Sequence, residues 1–193
     1  MKIKIQPPLA TARLQLHPAT LKDLDYLHQL WSLSEVSQYL FDGNKITLGL
    51  VRDALDSCLA GASAGFGLWL IHHQQQIIGC AGLIPVRLAP HEEDRLAGLL
   101  EPIVTLHPDF WRQGFALEAM DALVDYAFTE LQAAALAAVC DEPNFSSLKL
   151  LQRAGFELLS KVEGTNYPIQ ALLLSLRKWE NTRHQTTSSH ADD

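Results

Sequence analysis

A strand–helix–strand unit in the centre of the chain, from Leu99 to Glu142, limits the fold more than any other feature. Apolar runs over Leu99–Pro108 and Leu136–Glu142 predict strands, and the segment between them carries a helical apolar stripe. Such a crossover makes the two strands parallel, or nearly so. Pro102 lies inside the first strand and has no N–H, so we expect that strand to be unpaired or bulged on one side there.

The elements on either side of this unit predict an α+β fold with a mixed sheet flanked by helices. They are a strand that begins at Arg13, helices after Thr20 and over Thr47–Leu59, the hairpin Phe66–Val86, a helix between Asn144 and Gly155, and two final strands ending at Trp179. We expect one domain over residues 1–178. The polar residues 179–193 are expected to form a disordered tail.

Composition narrows the class of partner. The 193 residues carry a net charge of -7, which argues against a nucleic-acid-binding face and favours a cationic acceptor such as an amine. No apolar run reaches the length of a membrane span. The three cysteines, Cys58, Cys80 and Cys140, are odd in number and widely spaced, which is typical of reduced thiols in the cytoplasm. No metal site is expected, because the run His91–Asp94 is contiguous in a polar loop and a solvated loop is the better interpretation.

The segment "HPDFWRQGFALEAM" joins the first strand of the central unit to its helix. A helix N-terminus exposes unpaired N–H groups and the positive end of the dipole, and a glycine such as Gly114 lets a phosphate approach the backbone. The segment contains neither a P-loop nor a GxGxxG turn. An ordinary strand–helix turn therefore remains an equal alternative on this feature alone. Further along, Glu118, Asp121 and Asp125 are assigned to the polar face of the helix.

The segment "EPIVTLHPDFWRQGFALEA" resembles motif A of the GNAT N-acetyltransferase superfamily. Gly114 and Ala116 match the glycine and the final small residue of that motif. Trp111 stands where Arg or Gln is usual, a departure that resembles the branch containing bacterial ribosomal-protein N-terminal acetyltransferases. His107 departs from the apolar residue expected before the proline.

Two further segments resemble the same family. "NFSSLKLLQRAGF" is similar to motif B, and "TARLQLHPATLKDLDYL" is similar to the opening strand and helix, with His17 where Arg is common. The motif B residues are Asn144, Ser147, Gly155 and Phe156. The resemblance covers residues 11–178. It implies a GNAT-like mixed sheet that is splayed between the family's fourth and fifth strands. The corresponding strands here are Leu99–Leu106 and Leu136–Glu142.

The resemblance also implies a cosubstrate, acetyl-CoA, and the backbone that holds it. Its pyrophosphate would be bound by the amides of Arg112, Gln113, Gly114, Phe115 and Ala116. Several N–H donors and a helix dipole can hold a dianion without a basic surface. The Arg112 side chain is either a further charge contact or a solvated loop arginine.

The pantetheine arm of the cosubstrate would lie in the splay. Its partners would be backbone groups of Val104 and Leu106, whose side chains can equally serve the core. Asn144 is expected to cap its helix and is also a candidate partner of the pantetheine amides.

Two residues are candidates for the chemistry. Glu101 starts the fourth strand, where family members often carry the general base; the alternative is a carboxylate that only attracts the acceptor. Many relatives carry a tyrosine in the motif B helix as the proton donor to the thiolate, but Leu151 occupies that position. Ser147 is the substitute candidate, with a hydroxyl that caps backbone N–H groups as its alternative. Tyr39, Phe41 and Asp42 lie where relatives bind the acceptor, and packing is slightly favoured for them.

The function that the resemblance implies is acetyl transfer from acetyl-CoA to a primary amine by direct attack. The acceptor is either a protein N-terminus or a small molecule, such as a polyamine, an amino acid or an antibiotic. A CoA-binding module without catalysis is the alternative, because the tyrosine is missing and Pro102 lies beside Glu101. Homodimerisation stays open, and a cytoplasmic location is expected.

Overall fold

Eight strands and six α-helices occur in the described part of the chain, which comprises residues 5–41, 44–87 and 93–188 of a computed structural model, with side chains as far as residue 183. The strands are β1 (Leu9–Ala10), β2 (Leu14–Pro18), β3 (Gly67–His73), β4 (Gln76–Pro85), β5 (Leu100–Leu106), β6 (Ala135–Asp141), β7 (Glu157–Val162) and β8 (Ile169–Ser175). The helices are α1 (Leu24–Trp31), α2 (Ser34–Ser37), α3 (Leu48–Leu59), α4 (Phe115–Thr129), α5 (Phe145–Arg153) and α6 (Leu176–Ser188). Contacts divide the chain into two units, residues 1–84 with 101–124 and residues 85–100 with 125–193.

The first unit is built on strands in the order β1-β2-β3-β4-β5. β3 and β4 form the predicted hairpin, and β2 pairs antiparallel with β3. Helices α1 and α3 cover one face of these strands. Their fully buried residues Leu27, Val51 and Leu55 belong to the same core cluster as Leu68 of β3. This core exists because the helical apolar stripes and the alternate strand residues present complementary apolar faces.

The register of β4 and β5 explains how Pro102 is tolerated. The N–H of His107 donates to the Ile78 carbonyl at 2.8 Å, and Gly79 lies against Leu106. In an antiparallel pair, alternate residues direct their backbone groups toward the partner and away from it. Counting from His107, the groups of Leu106, Val104 and Pro102 point away from β4. The missing N–H of Pro102 therefore removes no hydrogen bond to β4.

The second unit contains strands in the order β6-β8-β7, all paired antiparallel. One parallel pair joins Leu100, the first residue of β5, to Leu136 of β6, which confirms the predicted parallel relationship. The sheet is therefore mixed, and the predicted α+β class is confirmed. Helix α5 ends as expected: Gly155 has φ +92° and donates to Gln152, and Phe156 donates to Leu151 at 3.0 Å, the two bonds of a Schellman motif.

The C-terminal segment differs from its prediction. The last strand was expected to continue to Trp179, but β8 ends at Ser175 and helix α6 follows as far as Ser188. The Trp179 ring packs on Phe128 with 5.1 Å between ring centroids, and its indole N–H donates to Asp125 at 3.0 Å. Arg183, one helical turn later, pairs with the same carboxylate and lies over the Trp179 ring.

The physical reason for this difference is the spacing of two side chains. Residues four apart share one face of a helix, so Trp179 and Arg183 reach Asp125 together only if the segment is helical. The described part of the expected tail is consequently ordered as α6, and residues 189–193 lie outside the described residues. One domain over residues 1–178 stays a prediction. Among the described residues, no helix combines the length and the apolar character that crossing a bilayer requires.

Gly79 controls how closely β5 can approach β4. A Cβ atom at this position would lie 2.9 Å from the Leu106 Cα atom and closer still to the Thr105 carbonyl oxygen, so the backbone of β5 would have to move. We expect Gly79→Ala to lower the free energy of unfolding by about 2–3 kcal/mol, as overpacking in a well-packed interior does. Urea denaturation followed by circular dichroism measures this loss.

Gly49 in the first turn of α3 is the matched control, because a Cβ atom there meets nothing closer than Thr47 Oγ1 at 3.9 Å. Gly49→Ala should leave stability unchanged or raise it by up to about 1 kcal/mol, since alanine favours the helix. Equal stabilities of the two variants would contradict the proposed close approach of β5.

Candidate active site

The turn between β5 and α4 has an unusual backbone. A short 3-10 turn over Pro108–Phe110 leads into the exposed residues Trp111–Gly114, and Arg112 and Gly114 have φ values of +60° and +84°. The Trp111 indole N–H donates to the Leu106 carbonyl at 2.8 Å and so ties the turn back to the end of β5. Only glycine adopts the Gly114 conformation without steric cost.

Five consecutive N–H groups at this turn donate to no other residue in the described part of the chain. They belong to Arg112, Gln113, Gly114, Phe115 and Ala116. The first hydrogen bond of the helix is the one from Glu118 N–H to the Gly114 carbonyl, so the helix cannot satisfy these groups itself. Unsatisfied donors at the positive end of a 15-residue helix are suited to a group with several anionic oxygens, such as a pyrophosphate. The residues present therefore fit the pyrophosphate predicted for them.

The opposite side of the turn is held by Arg13, which immediately precedes β2. Arg13 Nη1 donates to the Gln113 carbonyl at 3.1 Å, while its Nε and Nη2 each lie 2.6 Å from Glu118 Oε2. Glu118 Oε1 also accepts from the Thr11 hydroxyl at 2.5 Å and from the Arg13 N–H at 2.8 Å. Partial burial acts to raise the pKa of the Glu118 carboxyl, but the hydrogen bonds from Thr11 and Arg13 outweigh it and lower that pKa.

His72 and His73 are the last two residues of β3, and both are half-buried. The His73 ring lies 4.6 Å from the Phe115 ring, and Arg13 stacks on the same Phe115 ring at 4.4 Å. Phe115, the first residue of α4, is thus packed against Arg13 of the β1–β2 turn and His73 of β3.

Glu101 is one of the few buried charged residues, with 6% of its surface exposed. Ile103, two residues later in β5, packs against the core cluster that α1 and α3 form with the sheet. Alternate strand residues share a face, so the Glu101 side chain is on the α1 and α3 side of the first unit. Phe41 also packs against this cluster, with its ring 5.6 Å from Trp31, as the packing alternative predicts. Asp42 lies outside the described residues.

The backbone groups predicted to bind the pantetheine arm point away from β4. Those of Val104 do so, as the β4 register requires, and so do those of Leu106. The Leu106 carbonyl already accepts from the Trp111 indole, so the N–H of Leu106 is its better candidate for a ligand. These residues, Glu101 and the turn at Arg112–Ala116 all belong to the first unit.

Asn144 and Ser147 belong to the second unit, at the start of α5. The Asn144 side chain accepts from the Ser147 N–H at 3.2 Å, which confirms the predicted N-cap. The Ser147 hydroxyl makes no hydrogen bond within the described residues, so it is not consumed in capping the backbone. Leu151, where relatives carry the tyrosine, is 3% exposed and packs in the core.

The polar loop His91–Asp94 contributes an ion pair between Glu93 and Arg95. His91 and Glu92 lie outside the described residues. Glu93 accepts from Arg95 at 2.6 and 2.7 Å and from the Ser160 hydroxyl, and these bonds, with that from Arg95 first, lower the pKa of Glu93 to about 2. The Glu93 side chain is only 8% exposed, so it differs from the solvated side chain expected here, whereas Asp94 is exposed. The described residues contain no group of three or more His, Cys, Asp or Glu side chains that could hold a metal ion.

Sequence reasoning missed Arg13 and Thr11, and it placed Glu118 on the polar face of α4. The side chain of Glu118 is only 16% exposed because both partners cover it. The partners are separated by 105 residues in the sequence, so no local spacing connects them. The one available signal was the arginine at the start of the opening strand in "TARL".

Comparison with known proteins gives the same interpretation as the motifs. Residues 13–157 match an acetyltransferase (GNAT) domain. The chain is 31% identical over 153 residues to p20, an uncharacterized N-acetyltransferase of Bacillus licheniformis, and the match covers 77% of this chain and 82% of that protein.

Two solved structures share the fold at low identity. One is a ribosomal L7/L12 alpha-N-protein acetyltransferase in complex with coenzyme A, with a TM-score of 0.70, 17% identity, and coverage of 88% of this chain and 98% of that chain. The other is spermidine N-acetyltransferase from Vibrio cholerae in complex with CoA and spermine, with a TM-score of 0.68, 16% identity, and coverage of 88% and 99%.

The cap of α5 is open to a direct test. We expect Asn144→Ala to lower the free energy of unfolding by about 1 kcal/mol, because the Ser147 N–H loses its acceptor. Asn144→Asp keeps a side-chain oxygen at this position and should retain most of the stability. Thermal and urea unfolding measure both variants. A loss in Asn144→Asp as large as that in Asn144→Ala would argue against the cap.

Proposed function

The chain belongs to the acetyltransferase (GNAT) family, and on that premise we propose that its exposed turn at Arg112–Ala116 holds the pyrophosphate of acetyl-CoA. It is an acetyl-CoA-dependent N-acetyltransferase that transfers the acetyl group to a primary amine. The observation that carries the proposal is the set of five N–H groups without acceptors at the start of α4. They supply several donors to a dianion in a chain whose net charge is -7.

The remaining binding contacts are proposed from backbone direction and helix capping. Acetyl-CoA supplies the acetyl thioester. Backbone groups of Val104 and the N–H of Leu106 would bind its pantetheine arm, because they point away from β4. Asn144 spends its Oδ1 on the α5 cap and retains its amide N–H groups for the same arm. Arg112, with its backbone in the left-handed region, would add a charge contact from its exposed side chain.

Glu101 is the proposed general base. An attacking amine must lose a proton, and a buried carboxylate on the α1 and α3 side of the sheet is placed to accept it directly or through a water molecule. Ser147 is the proposed donor of a proton to the departing CoA thiolate. Its hydroxyl is not engaged elsewhere in the described residues, which supports this role. The reaction then forms one amide N–C bond and breaks one C–S bond. The amine gives one proton to Glu101, the Ser147 hydroxyl gives one proton to the thiolate, and the proton on Glu101 restores the Ser147 hydroxyl by way of solvent.

The acceptor is proposed to be a cationic primary amine, on a small molecule or at a protein N-terminus. The acidic balance of the chain supports a cationic acceptor. The structural neighbours named above act on a ribosomal protein and on spermidine, so they support both kinds. A thiol-release assay with acetyl-CoA, a polyamine, amino acids, aminoglycosides and N-terminal peptides distinguishes them. The three cysteines are buried and form no disulfide, which fits the predicted cytoplasmic location, and homodimerisation stays a prediction.

We expect Gly114→Val to abolish or strongly weaken CoA binding in calorimetric titration. A side chain at Gly114 would stand among the N–H donors and would lie 3.3 Å from Arg13 Nη2 even as a single Cβ atom. The same substitution also strains a backbone with φ +84°, so strain must be separated from blocked binding.

Gly98→Val supplies that separation. Gly98 has φ +76° and nothing within 4 Å of an added Cβ atom, so it carries the same strain without the ligand. Gly98→Val should bind CoA as the wild type does. Wild-type CoA affinity in a folded Gly114→Val protein would overturn the placement of the pyrophosphate.

We expect Glu101→Gln to lower kcat by about 100-fold, the lower range for losing a general base, with CoA affinity nearly unchanged. Glutamine keeps the size of the side chain but cannot accept the proton. Glu157→Gln, which removes an exposed carboxylate on β7, is the control and should retain wild-type turnover. Unaltered turnover of Glu101→Gln across the pH range would remove Glu101 as the base.

The alternative raised by the sequence, a CoA-binding module without catalysis, rests on Leu151, which fills the place of the usual acid with a buried apolar residue. The two candidates give different results in the same pair of measurements. Tight CoA binding with no thiol release for any acceptor in the panel would support the module. Turnover with any amine would reject it.

A further inference from the structure

Arg13 makes contacts that neither the family motifs nor the proposed chemistry use. It is the only residue in the described chain whose side chain is bonded both to the carbonyl of Gln113 and to the Glu118 carboxylate, on either side of the proposed pyrophosphate turn. We propose that Arg13 is a positioning residue for acetyl-CoA: it neutralises Glu118 and orients the Gln113–Gly114 peptide, so that the turn can accept a dianion. This inference rests on the proposed pyrophosphate site.

Arg13 compensates a negative charge beside the proposed anion site. Glu118 lies in the first turn of α4, four residues after Gly114, and carries a full negative charge near N–H groups that would bind another anion. Two like charges so close would oppose each other, and more strongly where the carboxylate is 84% covered, as its 16% exposure implies. The bidentate contact of the Arg13 guanidinium with Glu118 Oε2 cancels this charge locally.

Arg13 also sets the direction of the Gln113–Gly114 peptide group. In a trans peptide, the carbonyl of one residue and the N–H of the next point in opposite directions. Arg13 Nη1 holds the Gln113 carbonyl at 3.1 Å, so the Gly114 N–H must point away from Arg13. The chain has no cis peptide in its described residues, so this relation applies at the turn. Arg13 therefore fixes the orientation of the central donor.

Arg13 and Glu118 are themselves held in place by further contacts. The guanidinium is itself held by the Phe115 ring at 4.4 Å, and the Arg13 carbonyl is bonded to His73 Nδ1 at 3.2 Å. Thr11 donates to the same carboxylate from the β1–β2 turn. The β1–β2 turn and the first turn of α4 are consequently joined by the hydrogen bonds of Thr11 and Arg13 to Glu118 and by the stacking of Arg13 on Phe115. A rigid carrier keeps the donors in place before the ligand arrives, which lowers the ordering cost of binding.

The test combines charge removal with charge repair. Arg13→Ala leaves Glu118 uncompensated, and we expect the Kd for CoA to rise about tenfold in calorimetric titration. The double variant Arg13→Ala with Glu118→Gln removes the repelling charge as well, and should bind CoA about threefold or more tightly than Arg13→Ala. If Arg13 only supported the fold, removing Glu118 as well would not restore the affinity for CoA. A double variant that binds no better than Arg13→Ala would overturn the charge argument.

Steady-state kinetics supply a second readout. Arg13→Ala should raise the KM for acetyl-CoA while kcat at saturating acetyl-CoA stays within about twofold of wild type, because Glu101 is untouched. A fall in kcat as large as the rise in KM would point to general damage and would overturn the positioning role. If Arg13→Ala does not fold, Arg13→Lys replaces it. Lysine keeps the positive charge but lacks the planar set of guanidinium N–H donors, so we expect a Kd for CoA between that of the wild type and ten times that value. Wild-type affinity in Arg13→Lys would show that orientation of the peptide plays no part.

Arg183→Ala is the matched control. Arg183 also pairs with a carboxylate of α4, Asp125, and also lies over an aromatic ring, that of Trp179. It belongs to the second unit, whereas the turn at Arg112–Ala116 belongs to the first. Its removal should leave the Kd for CoA unchanged. An equal loss of affinity in both arginine variants would overturn the inference.

The result separates this inference from the proposed function. If the wild type binds no CoA, or if Gly114→Val binds it normally, the pyrophosphate site itself fails. If both hold but Arg13→Ala binds CoA as the wild type does, only the role of Arg13 fails.

Discussion

The first turn of an α-helix cannot satisfy its own N–H groups, and the candidate site depends on leaving them open at the start of α4. A protein normally covers such donors with a capping side chain or with water. Here Arg112 and Gly114 have a left-handed backbone, the turn is exposed, and no side chain of the described residues caps it. The surrounding contacts, from Trp111 on one side and Arg13 on the other, act on carbonyls and carboxylates and leave the donors alone.

One strand serves two purposes at once. In the register with β4, the backbone groups of Glu101 and Ile103 are directed toward β4, and Ile103 packs on the α1 and α3 face. The residues between them have backbone groups that point away from β4, and this series contains Pro102, Val104 and Leu106. The alternation of residues along β5 thus places the buried Glu101 carboxylate on one face of the sheet and leaves the backbone groups of Val104 and Leu106 pointing away from β4.

Local signals allowed much of this to be predicted from the sequence. The crossover unit, the N-cap at Asn144 and the left-handed Gly155 each depend on residues within a few positions of one another, and the structure confirms all three. What could not be predicted depends on contacts between distant segments. Glu118 is read as a solvent-facing residue because Arg13 and Thr11 are more than 100 positions away. The helix at Trp179 was missed because its partners, Phe128 and Asp125, belong to another element. The roles of Glu101 and Ser147 remain predictions, since burial and hydrogen bonding describe a side chain at rest.

The tie between β2 and the turn also bears on the order of folding. Arg13 leaves the ribosome about a hundred residues before Gln113 and must wait for its partner, and a loop of that length is closed only at a substantial entropic cost. If Arg13 has the proposed role, the first turn of α4 reaches its binding geometry only after β2 has paired with β3 and the guanidinium lies beside Gln113. Binding of the cosubstrate would then depend on long-range strand pairing and not on helix α4 alone.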